Sequence, residues 1–232
     1  MYGNKASILV NKIKGQVKSI NLIKHAFREV VDEKDNVFQS QTKNNFYWIE
    51  DKLFTSEKTE KSIFMKDLLL NKIDIVKKEF EKTMLKTRNT RKQTWESYSA
   101  NKYLMQEILV NISPIWWEQQ KFVNYHEELI YNKENETVDK YKWGIKDILN
   151  SQKLQAWGES QIDWIKQELK DTYGNDSNYL GASLHVDEKT PHIHVFLATV
   201  DLSFDKRKGR EVFKLSTSPF SRNRYDILQT SI

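Results

Sequence analysis

An α+β fold is predicted by three observations along the chain. Short apolar runs of strand length occur near the start, at Ala6–Ile13, and again late, at Tyr179–Leu184 and Val195–Val200. Stretches with apolar residues at helical spacing lie between them. The two late runs bracket a short polar segment containing Pro191, which reads as strand, turn and strand.

Taken in order, Ala6–Ile13 reads as a strand and Ser19–Val31 as a helix with Ser19 as a possible N-cap. A polar connection, Asp32–Asn45, leads to a short strand at Phe46–Ile49. From Thr59 to about Lys86, Ile63, Phe64, Leu68, Ile75, Val76 and Phe80 recur at helical intervals. A second long helix is predicted over Trp95–Asn111, stopped at Ser113-Pro114 because proline disfavours helix at the residue before it. Trp116, Trp117 and Phe122 supply core bulk. Asn124–Lys140 is acidic and polar and reads as a loop or insertion carrying a surface histidine, His126. A third helix spans Lys153–Tyr173, with Gly174-Asn175 as its stop.

The chain has 232 residues, the size of one large domain, and 38% are hydrophobic, enough to fill a core. No apolar run reaches the roughly 18–20 residues of a membrane span, and the first residues do not read as a signal peptide. Cysteine is absent, which excludes disulfides and thiolate metal sites and fits a cytoplasmic protein. A formal charge of +5 permits a nucleic-acid partner. The basic residues gather in two runs, Lys82–Lys92 and Lys206–Arg224. Such runs are most often solvated faces. In the second, Lys206, Arg207, Lys208 and Arg210 become a candidate phosphate-contacting surface if a metal site lies beside them.

That metal site is the sharpest signal. His185, His192 and His194 fall within ten residues. His192 and His194 are two apart and project from one face of a strand. A hairpin around Val186–Pro191 sets His185 beside His192, so that three imidazoles converge. Neutral imidazoles suit Zn, Mn, Fe, Ni or Cu, so the set leaves the metal open. Three protein ligands leave coordination positions free, the catalytic pattern. Glu188 is near enough to be a fourth ligand, a base or an orienter, and Asp187 alternates with it. A second reading takes His185-Val186-Asp187 as the H-x-D pair of a non-haem iron oxygenase, which leaves His192 and His194 unexplained.

His185-Val186-Asp187-Glu188-Lys189-Thr190-Pro191-His192-Ile193-His194 resembles the H-x-D-E-x-T-P-H-x-H motif of the Mob/Pre plasmid mobilisation relaxases, the MobV class of HUH endonucleases. Ser113-Pro114-Ile115-Trp116-Trp117 is similar to the family's Ser-Pro-x-aromatic-aromatic segment, and His25-Ala26-Phe27-Arg28 to its H-x-x-R. Trp164, Tyr173 and Gly174 resemble the family's approach to the motif, and Gly209–Phe213 resembles, loosely, the segment after it. The resemblance implies a central antiparallel sheet with the paired histidines on a central strand. It also implies strand-specific nicking of single-stranded or supercoiled plasmid DNA at a transfer origin, with covalent attachment to the 5′ phosphate.

His25 inherits the nucleophile's role, with Tyr47 the alternative, since tyrosine serves in other HUH enzymes. His185, His192 and His194 inherit the metal, with Mn²⁺ first and Mg²⁺ or another divalent ion as alternatives. Glu188 would orient the site or manage a proton, and Arg28 would pair with the phosphate. The family comparison reads residues 1–232 as one relaxase-like domain, with insertions near residues 55–90 and 121–150 and without the family's C-terminal helical region. Two other readings stand beside this one: a DNA-binding remnant of a relaxase that no longer cleaves, and a non-haem metal enzyme.

Overall fold

The computed structural model describes residues 6–29, 39–54, 60–86, 94–100, 102–132 and 137–215. In chain order these form β1 (Ala6–Lys14), α1 (Gln16–Ala26), a 3₁₀ turn (Gln39–Asn44), β2 (Phe46–Ile49), β3 (Lys52–Phe54), α2 (Lys61–Lys86), α3 (Trp95–Ser99), β4 (Tyr103–Ile112), α4 (Pro114–Gln119), β5 (Val123–Asn132), β6 (Thr137–Ile148), α5 (Ser151–Tyr173), β7 (Tyr179–His185), β8 (His192–Ala198), β9 (Val200–Asp205) and β10 (Arg210–Leu215). The predicted α+β class holds. Six strands make one antiparallel sheet in the order β1-β4-β8-β7-β2-β3, and β5–β6 and β9–β10 form separate two-stranded ribbons.

The side-chain alternation of β8 explains the layering. Ile193, Val195 and Leu197 point to a core shared with Leu154, Ile162, Ile165 and Leu169 of α5 and with Trp117 of α4. Phe196 and Ala198 point the other way, into a core shared with Ile23 and Ala26 of α1 and Met65, Leu69, Ile73 and Val76 of α2. Helices therefore cover both faces of the sheet, which is why every residue of β7 and β8 is buried. His192 and His194 share the parity of Phe196, so they lie on the α1–α2 face.

Gly181 of β7 permits the closest approach in this layer. A Cβ there would stand 2.4 Å from the Trp48 carbonyl oxygen of β2 and 2.8 Å from Met65 Cε of α2. The backbone oxygen cannot move without breaking the β2–β7 ladder. Gly181→Ala is expected to destabilise the fold by about 1–3 kcal/mol, read as a lower midpoint in urea with an unchanged slope.

Three predicted elements differ from the structure. The stretch read as a helix over Trp95–Asn111 is only the single turn α3 followed by β4, a central strand. Leu104 and Ile108 are spaced like a helix face, yet Leu104 through Ile108 is buried without interruption because β4 packs on both faces. Pro114 does not stop a helix. It sits at the first turn of α4, where its missing N–H costs nothing, with Ser113 accepting from Trp116 N as N-cap. Within Asn124–Lys140, residues 124–132 and 137–140 are strand, part of the β5–β6 ribbon held by a ladder from Val123↔Ile148 to Asn132↔Thr137. On this ribbon His126 stacks on Trp143, with ring centroids 4.8 Å apart.

Helix α1 also ends early, at Ala26, and begins after Gly15. Ser19 is not its cap; it is buried inside the helix, where its hydroxyl donates to Gly15 O. By contrast α5 ends as predicted, with Gly174 in the left-handed conformation (φ 75°). Arg88, Arg91, Lys92, Arg222 and Arg224 of the basic runs lie outside the described residues.

Candidate metal centre

The β7–β8 hairpin pairs His185 with His192 and Ser183 with His194, the register the sequence predicts. The three imidazole centroids lie 4.7–5.1 Å from one another. One nitrogen from each ring falls within 4.8 Å of the others.

Each ring is fixed by a different partner. His194 Nδ1 lies 2.6 Å from Glu107 Oε1, and Asn11 Nδ2 of β1 donates to Glu107 Oε2 at 2.7 Å. With Nδ1 donating to this carboxylate, Nε2 carries the lone pair. That Nε2 is buried and has no hydrogen-bond partner among the described residues. His192 Nδ1 donates to Thr190 O at 2.8 Å, which leaves its Nε2 3.8 Å from Glu188 Oε2. His185 is the most enclosed. Its Nε2 donates to Ala26 O at 2.6 Å, and its Nδ1 receives Arg28 Nη2 at 3.0 Å. The buried lone pair of His194 Nε2, the Nε2 of His192 and the Glu188 carboxylate are donors of the kind a divalent transition-metal ion takes, and they fit such an ion; the third ring, His185, has both nitrogens engaged, by Ala26 O and by Arg28.

Burial favours the neutral form of His185 and His192. Burial, helped by His194, pushes His192 down to about 4, and burial also holds His185 far below its ordinary value. Burial opposes the charge on Glu107, but the hydrogen bond and charge of His194 outweigh it and keep the carboxylate below its usual range. Burial likewise opposes Glu188, where His185, His192 and Arg28 together win and hold it ionised. The pH consequence has a definite sign. Folded His185 and His192 stay neutral while the unfolded chain protonates near pH 6.5, so their contribution is complete above that pH and declines as pH falls toward about 4. Metal-free protein is expected to lose thermal stability over this window, and His192→Gln to flatten the loss; melting temperature against pH checks both.

Arg28 differs from its expected role. It follows α1 in a left-handed conformation (φ 57°), with its side chain only 3% exposed. Its Nε and Nη2 grip Asp187 at 3.0 and 2.7 Å, and Nη2 also reaches Glu188 Oε1 at 2.5 Å. A guanidinium so enclosed does not offer itself to a phosphate from solvent. Asp187, fully buried, is held ionised by Arg28 against the opposing effect of burial and also accepts from Thr42 Oγ1 at 2.9 Å. It is thus engaged with Arg28 and Thr42, which removes the footing for an H-x-D iron site. Asn45 Oδ1 accepts from Val186 N at 2.8 Å and ties the turn to β2.

His25, in the last turn of α1, lines a cleft of about 370 Å³ together with Glu188, His192 and His194. Tyr47 does not line it. Its ring is 1% exposed, stacked on Phe27, and burial pushes the phenol up to about 12. The basic run at Lys206–Arg210 lies in the β9–β10 turn and the residues beside it, in the ribbon that follows the Ala198 end of β8, whereas His192 and His194 lie toward the start of β8. In the ribbon Arg210 pairs with Glu79 and Lys208 donates to Thr83 Oγ1, both on α2. This run does not border the cleft.

Sequence reasoning missed Glu107 and Asn11. Glu107 lay inside the stretch read as a helix, where a charged residue looks solvated. In a strand buried on both faces the same residue demands a partner.

The fold is shared with a solved relaxase domain. A Mn-bound crystal structure of the MobM relaxase domain with 22-nucleotide oriT DNA of plasmid pMV158 superposes with a TM-score of 0.52, 16% identity, and coverage of 97% of this chain and 82% of that one. A second Mn-bound structure of that domain, with 22-nucleotide oriT DNA and a 3′-thiophosphate, gives 0.49 and 18% with the same coverage. Residues 145–218, the segment carrying the histidine hairpin, match the Mob_Pre family, described as plasmid recombination enzyme, in line with the likeness read from the motif. Among curated proteins none matches the chain.

Proposed function

We propose that this protein is a metal-dependent DNA relaxase that nicks and rejoins one strand of single-stranded or supercoiled plasmid DNA at a transfer origin. The observation that carries the reading is the shared cleft: His25 opens onto the same space as His192, His194 and Glu188.

In this reading a nitrogen of the His25 imidazole attacks the scissile phosphorus. The P–N bond forms as the P–O3′ bond breaks, which leaves the protein on the 5′ phosphate and a free 3′ hydroxyl. The departing O3′ takes up a proton and the attacking imidazole loses one. Glu188, ionised and 27% exposed beside the cleft, is the group positioned to accept it. His192 and His194 would hold a divalent ion, Mn²⁺ first among them, and His185 would join them where Arg28 gives up its Nδ1. When bound, it supplies Lewis-acid polarisation of a non-bridging phosphate oxygen. Glu107 and Thr190 O fix the rings of His194 and His192 so that each presents Nε2.

Among the described residues no helix is long and apolar enough to cross a membrane. The cytoplasm, where plasmid DNA resides, is the compartment this reading assigns. The test is incubation of the full chain with Mn²⁺ and supercoiled plasmid carrying its cognate transfer origin. Nicked circles with protein on the 5′ end are expected; intact supercoils throughout would overturn the assignment.

A further inference from the structure

The β9–β10 ribbon follows the Ala198 end of β8 and presents two unlike sides. Leu202 pairs with Phe213 and Ser203 with Val212, so alternate side chains take opposite sides. One side rests on α2, where Val212 is buried and Arg210 pairs with Glu79. The other carries Leu202, Phe204 and Phe213, which are 50%, 63% and 40% exposed. On that side only the Val200–Leu215 pair, at the base of the ribbon, is buried.

The charge around these rings is positive. Residues 200–215 carry five basic and three acidic side chains. Lys208 and Arg210 are engaged by Thr83 and Glu79 of α2. Lys206, Arg207 and Lys214 make no ion pair among the described residues. With Phe204 they line a hollow of about 410 Å³. Asp205, which also borders it, closes the turn by accepting from the backbone of Arg207 and Lys208. Glu211, opposite Phe204, is the acid on the aromatic side.

Exposed rings offer π faces on which any base stacks, and uncommitted cations beside them suit a phosphate backbone. A second copy of this chain is a poorer occupant, because its charge of +5 opposes a basic ribbon. We infer that the outer side of β9–β10 is a stacking platform for single-stranded DNA, separate from the cleft. Phe204 and Phe213 take bases, and Lys206, Arg207 and Lys214 take phosphates. The platform follows the far end of β8 from His192 and His194, so it holds a strand away from the point of cutting without reading its sequence. The inference rests on the DNA reading above for its ligand and needs neither a metal ion nor His25.

The experiment titrates the full chain, stripped of metal with a chelator, into a labelled oligothymidylate of about 20 nucleotides and follows fluorescence anisotropy. Phe204→Ala and Phe213→Ala are each expected to weaken binding about 10-fold. Phe204→Leu keeps apolar bulk without a π face and is expected to lose nearly as much, whereas Phe204→Trp binds at least as tightly as wild type. Replacing Lys206 and Arg207 together by alanine is expected to flatten the slope of log Kd against log salt by about 1.4. Wild-type affinity and salt slope in all these variants overturns the inference, and nicking of origin plasmid by the same protein leaves the relaxase reading intact. Loss in Phe204→Ala with full affinity in Phe204→Leu overturns the stacking role. A dimer seen by sedimentation without DNA, and dissolved by Phe204→Ala, makes a second copy the occupant and also overturns it. A chain that nicks nothing yet loses oligothymidylate in these variants overturns the relaxase reading and supports the platform.

Discussion

Replacing His25 with alanine is expected to abolish the covalent protein–DNA adduct and to lower strand nicking by on the order of 10⁶-fold, the scale seen when a nucleophile is removed. Binding of Mn²⁺ is expected to persist, because Thr190 O fixes His192, Glu107 fixes His194 and Asn11 fixes Glu107. The check is a denaturing gel of a labelled origin oligonucleotide incubated with each variant. A slow-migrating adduct in His25→Ala would overturn the assignment. So would its loss in Tyr47→Phe, since that change removes one hydroxyl from a buried ring whose oxygen accepts from Asn45 at 3.3 Å. Burial and a phenol pushed up to about 12 make Tyr47 a poor nucleophile at neutral pH.

The second large effect falls on stability. Asp187→Ala strips the guanidinium of Arg28 of its bidentate partner in a place where water cannot replace it. Breaking a buried pair from one side costs about 3–5 kcal/mol, much of it the penalty of stranding the other charge. Glu188 retains one contact with Arg28, so the expected loss lies toward the lower end of that range. Urea denaturation measures it, and a loss under about 1 kcal/mol would mean that the pair does not hold the end of α1 to the β7–β8 turn. Asp187→Asn, which keeps an acceptor for Thr42 and for Arg28, is expected to lose less.

How much of this was legible beforehand depended on the range over which each signal acts. The β7–β8 hairpin was readable because its cues are local: histidines two apart, a proline at the mouth of the second strand and apolar runs on both sides. Helix α5 was readable for the same reason, from its apolar spacing and Gly174. Strand β4 was not. Leu104, Ile108 and Leu109 satisfy helical spacing, and only burial on both faces, a property of the assembled sheet, turns the run into a strand. The β5–β6 ribbon escaped because its outer half exposes both polar and apolar side chains, such as Leu129 and Tyr131, and so shows no clean alternation. The contact between Arg28 and Asp187 spans 159 residues, and no local pattern encodes it. Apart from His25 and Arg28, which emerged only through the family's H-x-x-R, the site residues that emerged early lie within one hairpin. Glu107, Asn11, Thr42 and Asn45, which fix the hairpin's rings and turn, come from elsewhere in the chain.

The strand order β1-β4-β8-β7-β2-β3 has a consequence for how the protein is made. Glu107 of β4 and His194 of β8 are 87 residues apart, yet their strands are neighbours at the middle of the sheet. During translation β1 and β4 can pair early, but one edge of β4 stays open until the β7–β8 hairpin has left the ribosome. A nascent chain in that interval exposes unpaired backbone groups on an apolar strand, the feature most prone to pairing with the wrong partner. It also lacks His185, His192 and His194. Under the proposed function, capture of a metal ion would wait for the same hairpin that closes the central sheet.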